Sequence, residues 1–251
     1  MNPHPLSLES AMISNIGMKR KQNQDSAAAL PARGFFLVAD GMGGHQGGET
    51  ASQVCVELFS QTLREFPESG ADDGALLQAA LQNANREIQR LSTEDPELQG
   101  MGTTATALKI SKTTATLLQV GDSRGYFWND KGFWQITRDH SLVQEKLRAG
   151  LITREQLKTD ANKNVITRSV GFENHLRGDV YRLDLEQGDG FLLCSDGLTG
   201  PLEDSDIWEI LKVSQSRGEP LSHAAELLVE AANQSGGDDN ITVILVKVRG
   251  T

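Results

Sequence analysis

The chain has 251 residues, enough to bury a sizeable core in one large domain or two small ones. Its formal net charge of −10 argues against a nucleic-acid or anionic-membrane partner, because both require a basic face. No apolar run approaches the ~18 residues of a membrane span, and no signal-peptide pattern opens the chain, so we expect a cytoplasmic protein.

The N-terminal part of the chain is polar up to the first apolar run. We predict that residues 1–10 are a loose lead-in, and a polar segment with Arg20 and Asp25 follows them. Taken alone, these charges favour a solvated surface turn. The next apolar run ends at Asp40, and glycines stand at five of the eight positions from 41 to 48. Such glycines permit a close approach to a ligand, but their spacing matches neither the dinucleotide-binding nor the P-loop fingerprint.

The remaining pattern predicts both helices and strands. Four stretches have helical apolar spacing, at residues 49–66, about 72–91, about 204–216 and 220–234. About eight stretches have strand patterns, at residues 35–40, 104–110, 114–120, 126–130, 133–137, 179–186, 188–196 and 241–248. Residues 139–170 are polar and without strand alternation, which indicates an inserted flap. We therefore expect an α+β fold in one domain over residues 1–251, with two mainly antiparallel sheets flanked by helix pairs.

Several aspartates lie where strands begin or end. Asp40, Asp122 and Asp196 each close an apolar strand, and Asp238 and Asp239 precede the last one. Carboxylates that share a small space must be neutralised by protons or cations. Oxygen donors without a His or Cys cluster favour Mg²⁺ or Mn²⁺ over structural zinc. Each Asp-Gly pair is also an ordinary turn signal, but three of them at strand ends favour a shared site.

Eight segments carry a family resemblance. They are GMKRKQNQDS, VADGMGGHQGGETAS, MGTTATAL, VGDSRGYFW, TRDHSLV, ITRSVG, LLCSDGLTG and GGDDNITVILV. In this order, over about residues 14 to 248, they resemble the metal-dependent Ser/Thr protein phosphatases of the PPM (type 2C) family, in their short bacterial single-domain form. The resemblance implies an αββα four-layer sandwich with two Mn²⁺ or Mg²⁺ ions, and a third ion at a site found in bacterial members. It also implies hydrolysis of phosphoserine and phosphothreonine by direct attack of a metal-bridging water or hydroxide.

The resemblance also implies a set of metal ligands. Asp40 matches the carboxylate that bridges the two metals, and the carbonyl of Gly41 matches a ligand of the second. Asp196 and Asp239 match the remaining protein ligands of the first metal. Asp122, together with Asp196, matches a third and weaker metal site described for bacterial members.

Three further positions complete the implied site. Arg20 matches the phosphate-binding arginine, which reverses its interpretation as a surface residue, because a guanidinium can hold two phosphoryl oxygens at once. Asp25 matches the residue that orients metal-bound waters. Some animal members have a histidine where this chain has Met42. The general acid is then either His45 or a metal-bound water. If the water serves, His45 has a structural role. Gln24 replaces a common Glu and removes a charge near the second metal.

The implied partners are phosphorylated Ser/Thr proteins, with an opposing Ser/Thr kinase as the default, and we expect a monomer. Cys55 and Cys194 have apolar neighbours typical of buried free thiols, so a cysteine nucleophile is not expected. Arg168 has two open interpretations, a contact to the substrate phosphate or a surface role. The alternative function is a non-catalytic phosphoprotein-binding module. The enzyme is favoured because the chain retains every Asp that the family pattern requires.

Overall fold

The computed structural model describes residues 7–44, 46–65, 72–157 and 159–250. Within these residues the strands are β1 (Ser7–Asn15), β2 (Asp25–Leu30), β3 (Phe35–Met42), β4 (Gly102–Thr103), β5 (Ala105–Ser111), β6 (Thr114–Val120), β7 (Arg124–Asn129), β8 (Gly132–Gln135), β9 (Asp179–Asp184), β10 (Gly190–Cys194) and β11 (Ile241–Arg249). One sheet has the order β1-β11-β10-β7-β8, and the other has the order β2-β3-β5-β6-β9 with β4 beside β3. All of these strand pairs are antiparallel.

The two sheets pack face to face through an apolar inner layer. Phe36 and Val38 of β3 meet Phe191 and Leu193 of β10 in one buried cluster. Because side chains alternate along a strand, the neighbouring Phe35 of β3 points to the opposite face and packs under helices. Both faces of the central strands are thus buried, which explains why they are continuous apolar runs in the sequence.

Helices cover both outer faces of the sandwich. The α-helices in the described part of the chain are α1 (Gly47–Glu65), α2 (Asp73–Glu94), α3 (Leu142–Arg148), α4 (Asp196–Thr199), α5 (Asp204–Ser216) and α6 (Leu221–Gln234). Helices α1 and α2 pack on the sheet that contains β3, and α5 and α6 pack on the sheet that contains β10. The expected α+β sandwich is confirmed. No helix in the described ranges is long and apolar enough to cross a membrane.

Three strands were not predicted from the sequence, and these are β1, β2 and the two-residue β4. Residues 7–10 are not a loose lead-in, because β1 begins at Ser7 and pairs with β11 along its whole length. Strand β2 was not predicted, because its sequence DSAAAL has low β propensity and no clear alternation. Its pairing with β3 supplies the stabilisation that its own residues do not.

The predicted flap, residues 139–170, contains helix α3 followed mostly by turns, with Lys158 outside the described residues. Two isolated β-bridges involve this segment. One pairs Val170 with Thr103 outside the segment, and the other pairs Ser141 with Ile166 within it. Its main-chain polar groups therefore have only local partners over much of its length.

The inner layer predicts a large stability cost for truncation. Leu193→Ala removes a fully buried side chain, so we expect the free energy of unfolding to fall by about 2–5 kcal/mol in urea denaturation. Leu151→Ala is the matched control, because Leu151 is 73% exposed and its truncation should change stability by less than about 0.5 kcal/mol. Equal effects of the two substitutions would contradict the described packing between the sheets.

Candidate metal centre

The strand register brings the predicted aspartates to one end of the sandwich. Asp25 begins β2 and lies directly opposite Asp40 of β3. Asp122 follows β6, Asp196 begins α4 just after β10, and Asp239 precedes β11. Because the strands are antiparallel, the end of one and the beginning of its neighbour lie at the same edge. All five carboxylates are thus delivered to one place by segments that are far apart in sequence.

Electrostatic interactions connect these carboxylates. Burial raises the pKa of Asp40 well above its usual value, and the charges of Asp25, Asp196, Asp122 and Asp239 raise it further. Burial also raises the pKa of Asp25 to about 7 and that of Asp122 to about 7. The pKa of Asp196 is raised by burial and by the charge of Asp239. The cluster therefore requires protons or cations to balance it near neutral pH.

Unpartnered oxygens in the cluster fit a hard cation. The Oδ1 atoms of Asp25 and Asp196 are buried without a hydrogen-bond partner. Buried acceptors normally have a partner, and carboxylate oxygens are the donors that Mg²⁺ and Mn²⁺ prefer. Within the described ranges, no group of three or more Asp, Glu, His or Cys side chains is arranged closely enough to hold a metal ion. The aspartates are thus close neighbours rather than a finished coordination shell.

The backbone at Asp40 and Gly41 is held from two sides. The Asp40 N–H donates to Thr104 Oγ1 at 2.9 Å, and the Thr104 N–H donates to the Asp40 carbonyl at 2.9 Å. The Gly41 N–H donates to the Gln24 carbonyl at 3.1 Å. A Cβ at Gly41 would overlap the carbonyl oxygen of Gly48, so only glycine fits this close approach.

Asn240 joins the last strand to the polar segment near the N-terminus. Its Oδ1 accepts from the Gln24 N–H at 2.8 Å, and its Nδ2 donates to the carbonyls of Ile16 at 3.0 Å and Gln22 at 2.9 Å. One buried side chain thus satisfies three backbone groups of residues 16–24. Sequence reasoning did not single out Asn240, although its position directly after Asp239 was a signal.

The same segment carries Arg20 to the carboxylates. Its Nη2 donates to Asp239 Oδ2 at 2.5 Å, and almost half of the arginine side chain remains exposed. Gly17 makes this approach possible, since it has φ +78° and a Cβ there would overlap the Asp239 carbonyl oxygen. The Met18 N–H donates to the Gly237 carbonyl at 2.8 Å and fixes the turn.

Ser195 positions Asp25, and sequence reasoning missed it as well. Its Oγ donates to Asp25 Oδ2 at 2.7 Å and accepts from the Thr242 N–H at 2.9 Å. This hydrogen bond fixes one oxygen of Asp25 and leaves Oδ1 unpartnered. Its place beside Asp196 was the available signal.

The remaining polar residues discussed from the sequence, and their neighbours, lie beside the aspartates or away from them. His45 is outside the described residues. Arg168 Nη1 donates to Asp179 Oδ1 at 2.7 Å, and His140 contacts the same carboxylate through Nε2 at 3.2 Å. The His140 Nδ1 accepts from the N–H of Gly121 at 3.2 Å. Cys194 is fully buried, and burial raises the pKa of its thiol, which disfavours the nucleophilic thiolate.

Comparison with known proteins agrees with this architecture. The family described as Protein phosphatase 2C matches residues 18–231. The chain belongs to the protein phosphatase 2C family. Among curated members, it is 36% identical to the serine/threonine phosphatase stp of Listeria monocytogenes over 236 residues, which cover 92% of each chain. It is also 36% identical to the protein phosphatase PhpP of Streptococcus pneumoniae, over 96% of this chain and 98% of that one.

Solved phosphatase structures share the fold over nearly all of this chain. The Mycobacterium tuberculosis serine/threonine phosphatase PstP/Ppp superposes with a TM-score of 0.89 at 34% identity, over 96% of this chain and 99% of that one. A structure of the catalytic domain of PstP in complex with two manganese ions superposes with a TM-score of 0.87 at 36% identity, over 97% and 99%. The expected family membership is confirmed.

The contacts of Asn240 predict a stability defect. Asn240→Ala leaves one N–H and two carbonyls near the site without their partner, so we expect the free energy of unfolding to fall by about 2–4 kcal/mol. Asn162→Ala is the control, because the side-chain Nδ2 of Asn162 bonds only within its own turn, to Asp160. Chemical denaturation of both variants measures the difference, and a similar small cost for both would contradict the bridging role of Asn240.

Proposed function

We propose that this protein is a metal-dependent serine/threonine protein phosphatase that hydrolyses phosphoserine and phosphothreonine in proteins. The observation that carries the proposal is the convergence of five aspartates and Arg20 at one end of a phosphatase 2C sandwich. Phosphatase names on relatives that match over more than nine-tenths of their length support catalysis over a non-catalytic binding module. The retained set of carboxylates supports it as well.

The aspartates suit a binuclear Mn²⁺ or Mg²⁺ centre. We assign Asp40 as the bridging ligand, the Gly41 carbonyl to the second ion, and Asp196 and Asp239 to the first. Asp122, together with Asp196, is assigned to a third ion. Divalent ions supply Lewis-acid stabilisation of the phosphoryl group and a water of lowered pKa when they are bound. The unpartnered Oδ1 of Asp196 and the oxygen-only donor set support this assignment.

The protein's own side chains would bind the phosphate and orient the attacking water. Arg20 is anchored to Asp239 through one nitrogen and is partly exposed, so its remaining N–H groups can donate to two phosphoryl oxygens. Asp25, with one oxygen held by Ser195, has its second oxygen free to accept a hydrogen bond from that water. The departing alkoxide requires a proton, for which His45 and a water are the two candidates.

The physiological setting follows from the same reaction. We propose phosphorylated Ser/Thr proteins as substrates, an opposing Ser/Thr kinase as the source of those phosphates, and action in the cytoplasm as a monomer. The whole of residues 1–251 would act as one catalytic domain, with residues 139–170 controlling access. The short α3 and the turns of that segment support such a role, since access loops are built from segments with few packed contacts.

Metal-dependent turnover is the direct test. With Mn²⁺, the protein should release phosphate from p-nitrophenyl phosphate and from a phosphothreonine peptide, and a chelator should stop both reactions. Asp40→Asn should lower turnover by at least about 100-fold, because the variant loses the bridging carboxylate. In the chelator the same variant should melt at a higher temperature than wild type, because a neutral amide avoids the cost of holding an ionisable carboxyl in an acidic cluster. Mn²⁺ should raise the melting temperature of wild type and not of the variant.

Asp130→Asn is the control for this experiment, since Asp130 lies in an exposed turn between β7 and β8. It should match wild type in turnover and in its melting response to Mn²⁺. Near-normal activity of Asp40→Asn, or an unchanged metal response, would show that the assigned bridging ligand is wrong.

Arg20→Lys tests how the phosphate is bound. Lysine keeps the charge and loses the paired donors of the guanidinium, which costs about one charge-assisted hydrogen bond. We expect kcat/KM for p-nitrophenyl phosphate to fall about 10- to 100-fold. Arg64→Lys, on the exposed side of α1, is the matched control and should leave kcat/KM unchanged. Equal kcat/KM for the Arg20→Lys and Arg64→Lys variants would show that Arg20 does not bind the phosphate.

A further inference from the structure

A surface groove of about 560 Å³ lies between β1 and α6, outside the carboxylate cluster. Its apolar lining comes from Ile13, Met18 and Val229. Met18 is 70% exposed, so its apolar side chain is accessible to a bound segment. Glu226 and Glu230 line the same groove, one helical turn apart on α6. The groove therefore combines an apolar surface with two neighbouring carboxylates.

The charged residues that line this groove are both acidic. Its lining contains neither Lys nor Arg, and both glutamates are exposed. Glu226 contacts only His223, at 3.5 Å, and Glu230 accepts from Gln234 at 2.9 Å, among the ion pairs and hydrogen bonds of the described residues. A neighbouring groove of about 400 Å³ between α5 and α6 shares Glu230 and adds Glu209. Apart from His223, this face of α6 is thus an acidic strip without Lys or Arg along the groove in the described part of the chain.

The groove begins next to the phosphate-binding arginine. Met18 lines it and lies two residues before Arg20, and its backbone N–H is bonded to Gly237, two residues before Asp239. Two residues of extended chain span at most about 7 Å. The Cα atom of Met18, in the wall of the groove, therefore lies within about 7 Å of the Cα atom of Arg20. The adjacent Lys19 is paired with Asp238 rather than with the groove glutamates.

We propose that this groove binds a basic segment of the phosphoprotein substrate, two to four residues away from the phosphorylated Ser or Thr. Arginine or lysine of the substrate pairs with Glu226 and Glu230, and an apolar substrate side chain packs on Met18 and Val229. The inference rests on the proposed phosphatase function. It adds that the enzyme prefers substrates with basic residues near the phosphorylated Ser or Thr. A second copy of this chain fits less well, because a two-fold contact through the groove would bring its glutamates face to face.

Three phosphothreonine peptides test the proposal. One carries two arginines and a leucine at positions two to four after the phosphothreonine, one carries them before it, and one has glutamine in place of both arginines. In Mn²⁺, wild type should have a KM about 3- to 10-fold lower for one of the basic peptides than for the neutral peptide, with the same kcat. Raising the salt to about 0.5 M should reduce this preference, because exposed charge pairs are screened.

Glu226→Gln combined with Glu230→Gln should abolish the preference and leave turnover of p-nitrophenyl phosphate unchanged. Glu57→Gln combined with Glu65→Gln removes the same charge from α1, on the opposite outer face, and should retain the preference. A peptide preference that survives in the groove variant, or that is absent in wild type, would overturn the inference. Turnover of p-nitrophenyl phosphate in the same experiment would still support the phosphatase function.

Two other outcomes are also decisive. Failure to hydrolyse p-nitrophenyl phosphate and all three peptides would overturn the proposed function and the groove assignment with it. A dimer in analytical ultracentrifugation that dissociates in the groove variant, without any peptide preference, would assign this face to a second copy and overturn the inference.

Discussion

Repulsion among buried carboxylates is the constraint on which the rest of this structure depends. Asp40 is half-buried in the company of four other aspartates, and its pKa is raised by loss of solvent first and by those charges second. Placing several like charges together costs folding free energy, so a folded chain keeps such a cluster only where another interaction offsets that cost. The inner layer between the sheets provides rigidity, because four of the strands next to the aspartates, β3, β6, β10 and β11, are almost entirely buried. Cation binding would then stabilise the folded chain by linkage, so the acidic site and the apolar layer depend on each other.

Neutral side chains connect the two halves of the site. Ser195 follows β10 in one sheet, and it holds Asp25, which begins β2 in the other. Asn240 precedes β11 and holds the segment that leads into β2. These hydrogen bonds cross from sheet to sheet, so the distance between carboxylates depends on how the sheets align. Uncharged groups suit this role, because they orient the aspartates without adding charge to a crowded acidic pocket.

Sequence reasoning found the features that local patterns encode. Aspartates at the ends of apolar runs were visible because a strand must end where its apolar pattern ends, and α5 was predicted at residues 204–216, as observed. Strand β2 was invisible because its alanines acquire strand structure only from pairing with β3. Ser195 and Asn240 were missed because their partners lie about 170 and 220 positions away, and no spacing rule in one sequence reports such contacts.

The turn around Gly17 links Arg20, the proposed phosphate-binding residue, to the groove beside α6. Its positive φ lets the chain approach the Asp239 carbonyl, and the next residue, Met18, bonds to Gly237 while its side chain lines the groove. One rigid turn therefore sets the position of Arg20 and of one groove wall together. A substrate segment that occupies the groove would hold its phosphorylated residue in a fixed register against the guanidinium. Groove binding in such an arrangement contributes mainly to KM, because the contacts exist equally before and during reaction.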